Sequence, residues 1–224
     1  MDNISVIIRA KNEERWIGHT IQSVLDRINQ PEIIVVDSHS TDDTIHIVQH
    51  FQQDPELNNK KSSSLTKVQT ISIDNYTPGR SINLGVKNSS CDYILIISSH
   101  CVLQDFSMEK HKHDLEKHVC IFGNQVPVWN GKKITKRYLW SHFYDKEQVN
   151  MYSEQEKRYF MHNGLAFYKK ATLVETPFDE HLVGKEDRYW ANKVIENGAG
   201  ILYDPAMKAE HHYTVNGNTW KGIG

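Results

Sequence analysis

Two adjacent acids, Glu186 and Asp187, are the residues of this sequence best suited to acid–base chemistry. They open a segment with helical spacing, and Gly184 just before them would leave room for a substrate. A carboxylate at that place could act as a general base, taking the proton of a hydroxyl group while that hydroxyl attacks. The alternative is structural, because acids in the first turn of a helix are stabilised by the helix dipole by ~0.3–1 kcal/mol.

A second set of polar residues follows the apolar runs of the first half. Asp37 ends the run at 32–37, His100 follows the run at 93–97, and residues 10–14 follow the first run. The C-terminal ends of parallel strands meet at one edge of a sheet, so these residues could converge there. An acid at such a strand end can accept a hydrogen bond from a nucleobase N–H or a ribose hydroxyl. Alternatively, Asp37 caps the turn or helix that follows it.

Two further groups have both a chemical and a structural interpretation. Arg80 lies beside Gly79 at a predicted helix start, where a guanidinium suits phosphate oxygens, but it could equally be a solvated surface arginine. His211 and His212 could be metal ligands or phosphate contacts, or they could be surface histidines. The sequence has no glycine-rich phosphate loop of the Walker or dinucleotide-binding kind.

The first half of the chain alternates between apolar runs and amphipathic segments. The run YILII at 93–97 is unbroken and rich in β-branched residues, which is typical of a strand buried on both faces of a parallel sheet. The order β-α-β-α-β-α-β predicts an α/β fold with a mostly parallel, doubly wound central sheet. The predicted strands are residues 4–9, 32–37, 67–73 and 93–97, and the polar stretch 54–66 is predicted to be a surface loop.

The second half has weaker periodicity and predicts a smaller, mixed α/β portion. Its last strand is predicted at 200–203, followed by a turn at Asp204 and Pro205 and then by a tail that carries the two histidines. The aromatic and basic segment 129–144 could face an acceptor, a membrane or a partner chain. The other predicted elements are helices at 108–117 and 170–175, strands at 119–124 and 160–168, and a helix after Glu186 with Tyr189, Trp190, Val194 and Ile195 on its inner side.

The composition limits the class of protein. A length of 224 residues suits one domain, 1–224, with 1–104 and 105–224 as its two halves. The 26 basic and 28 acidic residues nearly cancel, so no nucleic-acid partner is predicted. The acidic start and the short apolar runs argue against a secretory signal and a spanning helix, and three cysteines give no disulfide framework. We therefore predict a cytoplasmic protein, either free or peripherally attached at the inner face of the membrane.

Several blocks of the sequence, taken in order, resemble family 2 glycosyltransferases of the GT-A fold, and the resemblance covers nearly the whole chain. The most specific block is VVDSHSTDDT at 35–44, which is close to the family's VVDSGSTDGT with His39 in place of glycine. The other blocks are ISVII at 4–8 with NEE at 12–14, GRSINLG at 79–85, FDE at 178–180 and GKED at 184–187.

The resemblance implies a function. A sugar would move, with inversion, from a nucleoside-diphosphate sugar to a glycan or lipid-linked glycan acceptor in the synthesis of a bacterial surface polysaccharide such as capsule or O-antigen. Asp187 would be the catalytic base, with Glu186 beside it as the second acid of the site. The donor would be bound by Ala10, Asn12, Glu13, Asp37, Arg80, Ser99 and His100.

The chain departs from the family at Ser98-Ser99-His100, where the family usually has Asp-x-Asp. Those carboxylates normally hold Mn²⁺ or Mg²⁺ against the diphosphate, and serine and histidine are poor ligands for a hard cation. Two alternatives follow: His100 holds Mn²⁺ together with His211 or His212, or His100 contacts the diphosphate directly without a metal. The family does include members with a Ser-x-His version of the motif, many of which resemble surface-polysaccharide and rhamnosyl transferases.

Two other functions compete with sugar transfer. A catalytically silent module would bind a nucleotide sugar after its metal site had decayed, although such a scaffold has no need of a base at Asp187. A nucleotidyltransferase also uses a doubly wound sheet, but it would need a glycine-rich loop early in the chain, and residues 10–14 are not one.

Overall fold

The structure is a computed structural model, and it describes residues 2–53, 67–130, 132–133, 138–215 and 217. The stretch 54–66, which the sequence predicts to be a surface loop, lies outside the described residues, and so does part of the segment 129–144. Among the described residues, no helix is both long enough and apolar enough to cross a membrane.

The predicted alternation of strands and helices in the first half is confirmed. Strand β1 lies between β2 and β4, all three run parallel, and β3 extends the sheet beyond β2. The pairing register brings Ala10 opposite Asp37 and Arg9 opposite Ser98, so these strands end at one edge. The elements are β1 (Ile4–Ala10), α1 (Ile17–Arg27), β2 (Glu32–Asp37), α2 (Thr44–Gln53), β3 (Lys67–Ser72), α3 (Pro78–Asn88) and β4 (Tyr93–Ser98).

The second half adds strands of mixed direction to the same sheet. The sheet order is β3-β2-β1-β4-β11-β6-β12-β5; β7 pairs with β6, β8 pairs with β12, and β9 pairs with β10 in a separate hairpin. The elements are β5 (Cys101–Asp105), α4 (Met108–Asp114), β6 (Cys120–Trp129), β7 (Lys132–Lys133), a 3₁₀ helix (Tyr138–His142), β8 (Gln148–Val149), β9 (Tyr152–Ser153), β10 (Arg158–Tyr159), β11 (Leu165–Lys169), α5 (Lys170–Glu175), α6 (Glu186–Glu196) and β12 (Ile201–His212).

Alternating residues of the strands bury opposite faces of the sheet, as a doubly wound fold requires. On one face, Ile8 and Val35 pack with apolar residues of α1 and α2. On the other face, Ile7 packs with residues of α3 and α6, including Trp190 and Val194. The fold-class prediction of an α/β protein with a large, mostly parallel central sheet is confirmed.

Several predictions for individual elements are wrong. The turn expected at Asp204 and Pro205 is part of β12, because a bulge between Asp204 and Lys208 lets the strand pass the proline without a ladder hydrogen bond. His211 and His212 therefore lie on a strand and are buried, not on a surface tail. Residues after His100 form the unpredicted strand β5. Tyr189 is half exposed, whereas Trp190 beside it is buried as expected.

Candidate functional site

A cleft of about 650 Å³ opens at the C-terminal ends of β1 and β4. One side, which we call the strand-end wall, is formed by Ala10, Glu13, Ser99 and His100. A second side, the helix-start wall, is formed by Glu186, Asp187 and Arg188 in the first turn of α6. The cleft thus brings together six of the residues that the sequence predicted for the site, although the two walls lie far apart in sequence. Ligands of open α/β sheets bind at this edge.

The turn after β1 is fixed by the loop after β2. Asn12 has a left-handed backbone with φ of 52°, donates its N–H to Ser40 Oγ at 2.9 Å, and accepts the Thr41 N–H on its side-chain oxygen at 2.8 Å. The N–H of Glu13 donates to Thr44 Oγ1 at 2.7 Å. Asn12 is therefore a clamp between two loops, and it is not on the wall of the cleft. The clamp places Glu13, whose carboxylate is on the wall.

Asp37 lies at the expected strand end but turns its carboxylate toward its own loop. Its Oδ2 accepts the N–H of Ser40 at 3.0 Å, and its Oδ1 accepts the Ser40 hydroxyl at 2.5 Å. The residue is buried and is not on the wall of the cleft, where its neighbour Ser38 is found instead. This geometry is that of a turn-stabilising acid; the contact of Asp37 with a nucleobase stays a prediction.

Arg80 joins α3 to the segment that precedes α6. Its Nε lies 3.3 Å from Glu180 Oε2, and its Nη1 donates to the carbonyl of Asn75 at 3.0 Å. Asn83 donates to the other oxygen of Glu180 at 3.0 Å. The residue is partly exposed and is not on the wall of the cleft. Its role toward a diphosphate also stays a prediction.

His100 belongs to a buried chain of hydrogen bonds that runs behind the strand-end wall. Its Nδ1 lies 3.1 Å from Glu13 Oε1, and its Nε2 lies 2.9 Å from Nε2 of His211. The other ring nitrogen of His211 lies 2.8 Å from Gln125 Oε1. Gln125 in turn lies 3.0 Å from Nδ1 of His162. The long strand β12 is what delivers His211 to His100.

The hydrogen bonds fix which nitrogens of this chain carry protons. His162 Nδ1 accepts from both Gly164 N and Gln125 Nε2, so the Gln125 oxygen accepts from Nδ1–H of His211. The Nε2 of His211 is then an acceptor, and His100 must donate to it. Burial lowers the pKa of His162 to about 3, and burial next to other imidazoles lowers the pKa of His211 well below its usual value. Both histidines are therefore neutral at pH 7.

The described residues near His100 do not form a site for a divalent cation. Both ring nitrogens of His100 and of His211 lie within hydrogen-bond distance of other protein groups, so no lone pair is available without breaking this chain. Across the described part of the chain, no group of three His, Cys, Asp or Glu side chains is arranged to hold a metal. Among the described residues, the second oxygen of Glu13 has no hydrogen-bond partner, but it is buried and would supply only one ligand of the octahedral oxygen set that Mg²⁺ prefers.

The helix-start wall is held by ion pairs. Arg9, near the end of β1, reaches Glu186 with 3.3 Å between Nη1 and Oε1. Arg188 lies between two acids, 3.0 Å from Asp187 Oδ1 and 3.1 Å from Glu156 Oε1. Asp187 also accepts the N–H of Arg188 at 2.8 Å and that of Asn163 at 3.3 Å. Each of the two adjacent carboxylates therefore has its own arginine.

The two carboxylates differ in acidity. Burial raises the pKa of Glu186, and the charge of Asp187 raises it further, against the opposing effect of Arg9. Burial would also raise the pKa of Asp187, but the Arg188 guanidinium and the two backbone N–H groups lower it below its usual value. Asp187 is therefore the acid that is ionised over the widest range of pH, as a base that takes up a proton must be.

Sequence analysis missed several residues of this site. Arg9 carried a signal, since it is a charge at the end of the otherwise apolar run ISVIIRA. Gln125 and His162 carried none, because they are 37 residues apart and meet only in the folded sheet. Glu156 carried none either, because its partner Arg188 lies 32 residues further along the chain.

The chain is similar in sequence to known sugar transferases. A sequence profile described as Glycosyl transferase family 2 matches residues 5–175. The O-antigen chain rhamnosyltransferase RfbN of Salmonella typhimurium is 26% identical over 217 residues, which cover 88% of this chain and 64% of RfbN. The chain thus spans slightly less than two thirds of that relative.

Two solved structures share the fold. TarS 1–349 of S. aureus in complex with UDP-GlcNAc has a TM-score of 0.70 at 18% identity, covering 99% of this chain and 61% of that one. GalNAc-T7 with UDP, GalNAc and Mn²⁺ has a TM-score of 0.65 at 15% identity, covering 99% and 44%. The expected GT-A architecture is thereby confirmed. Since the family profile extends from β1 to the end of α5, through both of the strands whose ends form the cleft, the chain belongs to glycosyl transferase family 2.

Proposed function

We propose that this protein transfers a sugar from a nucleoside-diphosphate sugar to a hydroxyl group of a glycan or lipid-linked glycan acceptor. The observation that carries the proposal is the cleft that holds the buried carboxylate of Asp187, whose pKa is lowered by Arg188, together with residues at the C-terminal ends of β1 and β4. Membership of glycosyl transferase family 2 supports it. The name of RfbN, an O-antigen chain rhamnosyltransferase, supports a role in surface-polysaccharide synthesis, with a deoxyhexose as the finer proposal for the sugar.

The proposed reaction is a single displacement with inversion. The acceptor oxygen attacks the anomeric carbon of the donor and forms the new glycosidic bond. The bond between that carbon and the diphosphate oxygen breaks, and its electron pair leaves with the nucleoside diphosphate. Asp187 takes the proton of the acceptor hydroxyl, so charge and atoms balance. Negative charge grows on the leaving diphosphate, and a cationic group must meet it.

The division of labour follows the two walls of the cleft. Residues 1–104 supply the proposed donor side, with Ala10, Glu13, Ser99 and His100 on the strand-end wall. Asn12 in the loop after β1, Asp37 at the end of β2 and Arg80 in the first turn of α3 complete this side. Residues 105–224 supply the proposed acceptor side, with Asp187 as the base and Glu186 beside it. Asp187 lies at the start of a helix, where its position is fixed by Arg188 and by the N–H of Asn163.

The substitution Asp187→Asn tests the proposal. It keeps the shape of the side chain and removes the base, so transfer is expected to fall by roughly 10²- to 10⁴-fold while donor binding is retained. Release of nucleoside diphosphate from a panel of UDP-, GDP- and dTDP-sugars, measured with glycan acceptors, gives the rates. The matched control is Asp26→Asn on α1, an exposed acid whose partner is Gln22.

Two results would count against the proposal. Unchanged turnover in Asp187→Asn would show that another group is the base. A wild-type protein that binds a donor and never turns it over with any acceptor would support a silent nucleotide-sugar binding module instead.

A further inference from the structure

We propose that Arg9 binds the diphosphate of the donor and meets the charge of the leaving group, in the role that a divalent cation has where Asp-x-Asp is present. The inference rests on the proposed function, since it concerns the donor of that same reaction. It starts from the disagreement between the expected metal and the residues around His100, which do not form a cation site.

Arg9 is placed beside the altered motif. It pairs with Ser98 across β1 and β4, and both residues are on the wall of the cleft together with Ser99 and His100. A group at this position lies at the tips of the central strands, where the donor diphosphate is expected in an open α/β sheet. Arg9 therefore lies next to the three residues that replaced the family's carboxylates.

The guanidinium of Arg9 has N–H donors for which no described residue is the acceptor. A guanidinium carries five N–H donors in a planar fork that matches two phosphate oxygens at once. Among the described residues Arg9 makes one hydrogen bond, from Nη1 to Glu186 Oε1 at 3.3 Å, which is longer than an ordinary charge-assisted bond. Its side chain is 16% exposed, and none of its nitrogens is a buried atom without a partner. Its other donors have no partner among the described residues, and Arg9 lines the cleft, so they are available to a ligand there.

Two other cations of the described cleft wall, Lys11 and Arg188, are more fully engaged, and the third, Lys185, lies at the start of α6 and not beside Ser98. Lys11 donates to the carbonyls of Ser38 and His39 at 2.6 and 2.5 Å. Arg188 is held between Asp187 and Glu156. Lys185 is 52% exposed and pairs with Glu156.

His100 is not a substitute for Arg9, since both of its ring nitrogens point into the protein, toward Glu13 and His211. Glu186 then has a role as the positioning residue of Arg9: it is a buried counter-ion that holds the guanidinium at the cleft before the donor arrives.

Calorimetric titration with nucleoside diphosphates tests this role. UDP, GDP and dTDP are each titrated beside the matching nucleoside, in buffer with EDTA and again with Mn²⁺. For the base that binds, Arg9→Met is expected to weaken the diphosphate roughly 10- to 100-fold and to leave nucleoside affinity unchanged. Arg9→Lys keeps the charge without the fork, so we expect an intermediate loss. EDTA should not change the affinity of the wild type.

Two variants keep the test interpretable. Arg9→Met leaves Glu186 buried without its cation and could unfold the protein, so the double variant Arg9→Met/Glu186→Gln removes both charges and should still lose diphosphate affinity. Arg27→Met is the matched control, because Arg27 is an exposed arginine of α1 that donates to the carbonyl of Gln104 outside the cleft.

Each adverse outcome has a separate meaning. Three results would overturn the role of Arg9 and leave sugar transfer standing. Arg9→Met could bind the diphosphate as tightly as the wild type does, or it could lose as much affinity for the nucleoside as for the diphosphate. Alternatively, EDTA could abolish diphosphate binding by the wild type and Mn²⁺ could restore it. A wild type that binds none of the nucleoside diphosphates would overturn the proposed function together with this inference.

Discussion

The two walls of the cleft are held in place by different physical means. Behind the strand-end wall, a chain of hydrogen bonds connects Glu13, His100, His211, Gln125 and His162, and two of its histidines are neutral. The helix-start wall is a set of ion pairs in which acids and arginines alternate.

This difference predicts how each wall fails. Removing one partner of a buried ion pair strongly destabilises the folded protein, because the other charge is left buried and uncompensated. A fold that contains a buried neutral histidine is instead destabilised at low pH, because protonating that histidine in the core is unfavourable. The helix-start wall should therefore be sensitive to substitution, and the chain behind the strand-end wall should be sensitive to acid.

The largest effect on stability is expected for Arg188→Met. Arg188 is buried and lies against both Asp187 and Glu156, so its removal should lower the free energy of unfolding by about 3–5 kcal/mol. Urea denaturation at pH 7.5 measures this change. The control is Arg158→Met, which removes a more exposed arginine near the same Glu156 and should cost no more than about 1 kcal/mol. Equal stability of the two variants would show that the ion pairs do not hold this wall.

Acid should act on the other wall, through His162. Its pKa of about 3 is below the ordinary value of 6.5, so the neutral form stabilises the fold above pH 6.5 and this contribution is lost as the pH falls toward 3. Between pH 7.5 and 5, the wild type should lose about 2 kcal/mol more than His162→Gln. Urea denaturation at both pH values gives the difference, and His113→Gln, at an exposed histidine, should behave as the wild type. If the free energy of unfolding falls equally in all three proteins between pH 7.5 and 5, His162 does not make the strand-end wall sensitive to acid.

The smallest effect on stability is expected for Arg80→Met, outside both walls. The Arg80–Glu180 pair is partly exposed, so breaking it should change the free energy of unfolding by less than about 1 kcal/mol. If Arg80 contacts the donor as predicted, KM for the donor should rise while kcat stays the same. Glu180→Gln breaks the same ion pair and keeps the cation, so it should leave KM unchanged. If KM is unchanged in Arg80→Met, Arg80 does not contact the donor and only connects α3 to Glu180.

The sequence predicts the first half of the fold well for a simple reason. Parallel strands buried on both faces are unbroken apolar runs, and β1, β2 and β4 are visible as such. It also predicts the acids of α6, because a carboxylate pair at a helix start has a local signature. The prediction fails at Pro205, because a bulge there lets the strand include a proline, which cannot donate a ladder hydrogen bond.

The remaining failures have one physical cause, which is long-range pairing. Arg9 finds Glu186 across 177 residues of sequence, and His100 finds His211 across 111. Local periodicity holds no information about such partners. Asp37 shows the opposite limit, since its strand end was predicted correctly but its carboxylate is used by a turn three residues away.

The long strand β12 also has a consequence for the order in which the molecule is assembled. Pairings between residues so far apart in sequence form late, because the entropy of closing the intervening chain must be overcome first. The parallel strands β1, β2 and β4 can collapse around their own helices much earlier. During synthesis, Glu13 and His100 are therefore in place before His211 exists in the nascent chain. Slow docking of β12 would leave a compact protein whose cleft is still open on the side of the histidines.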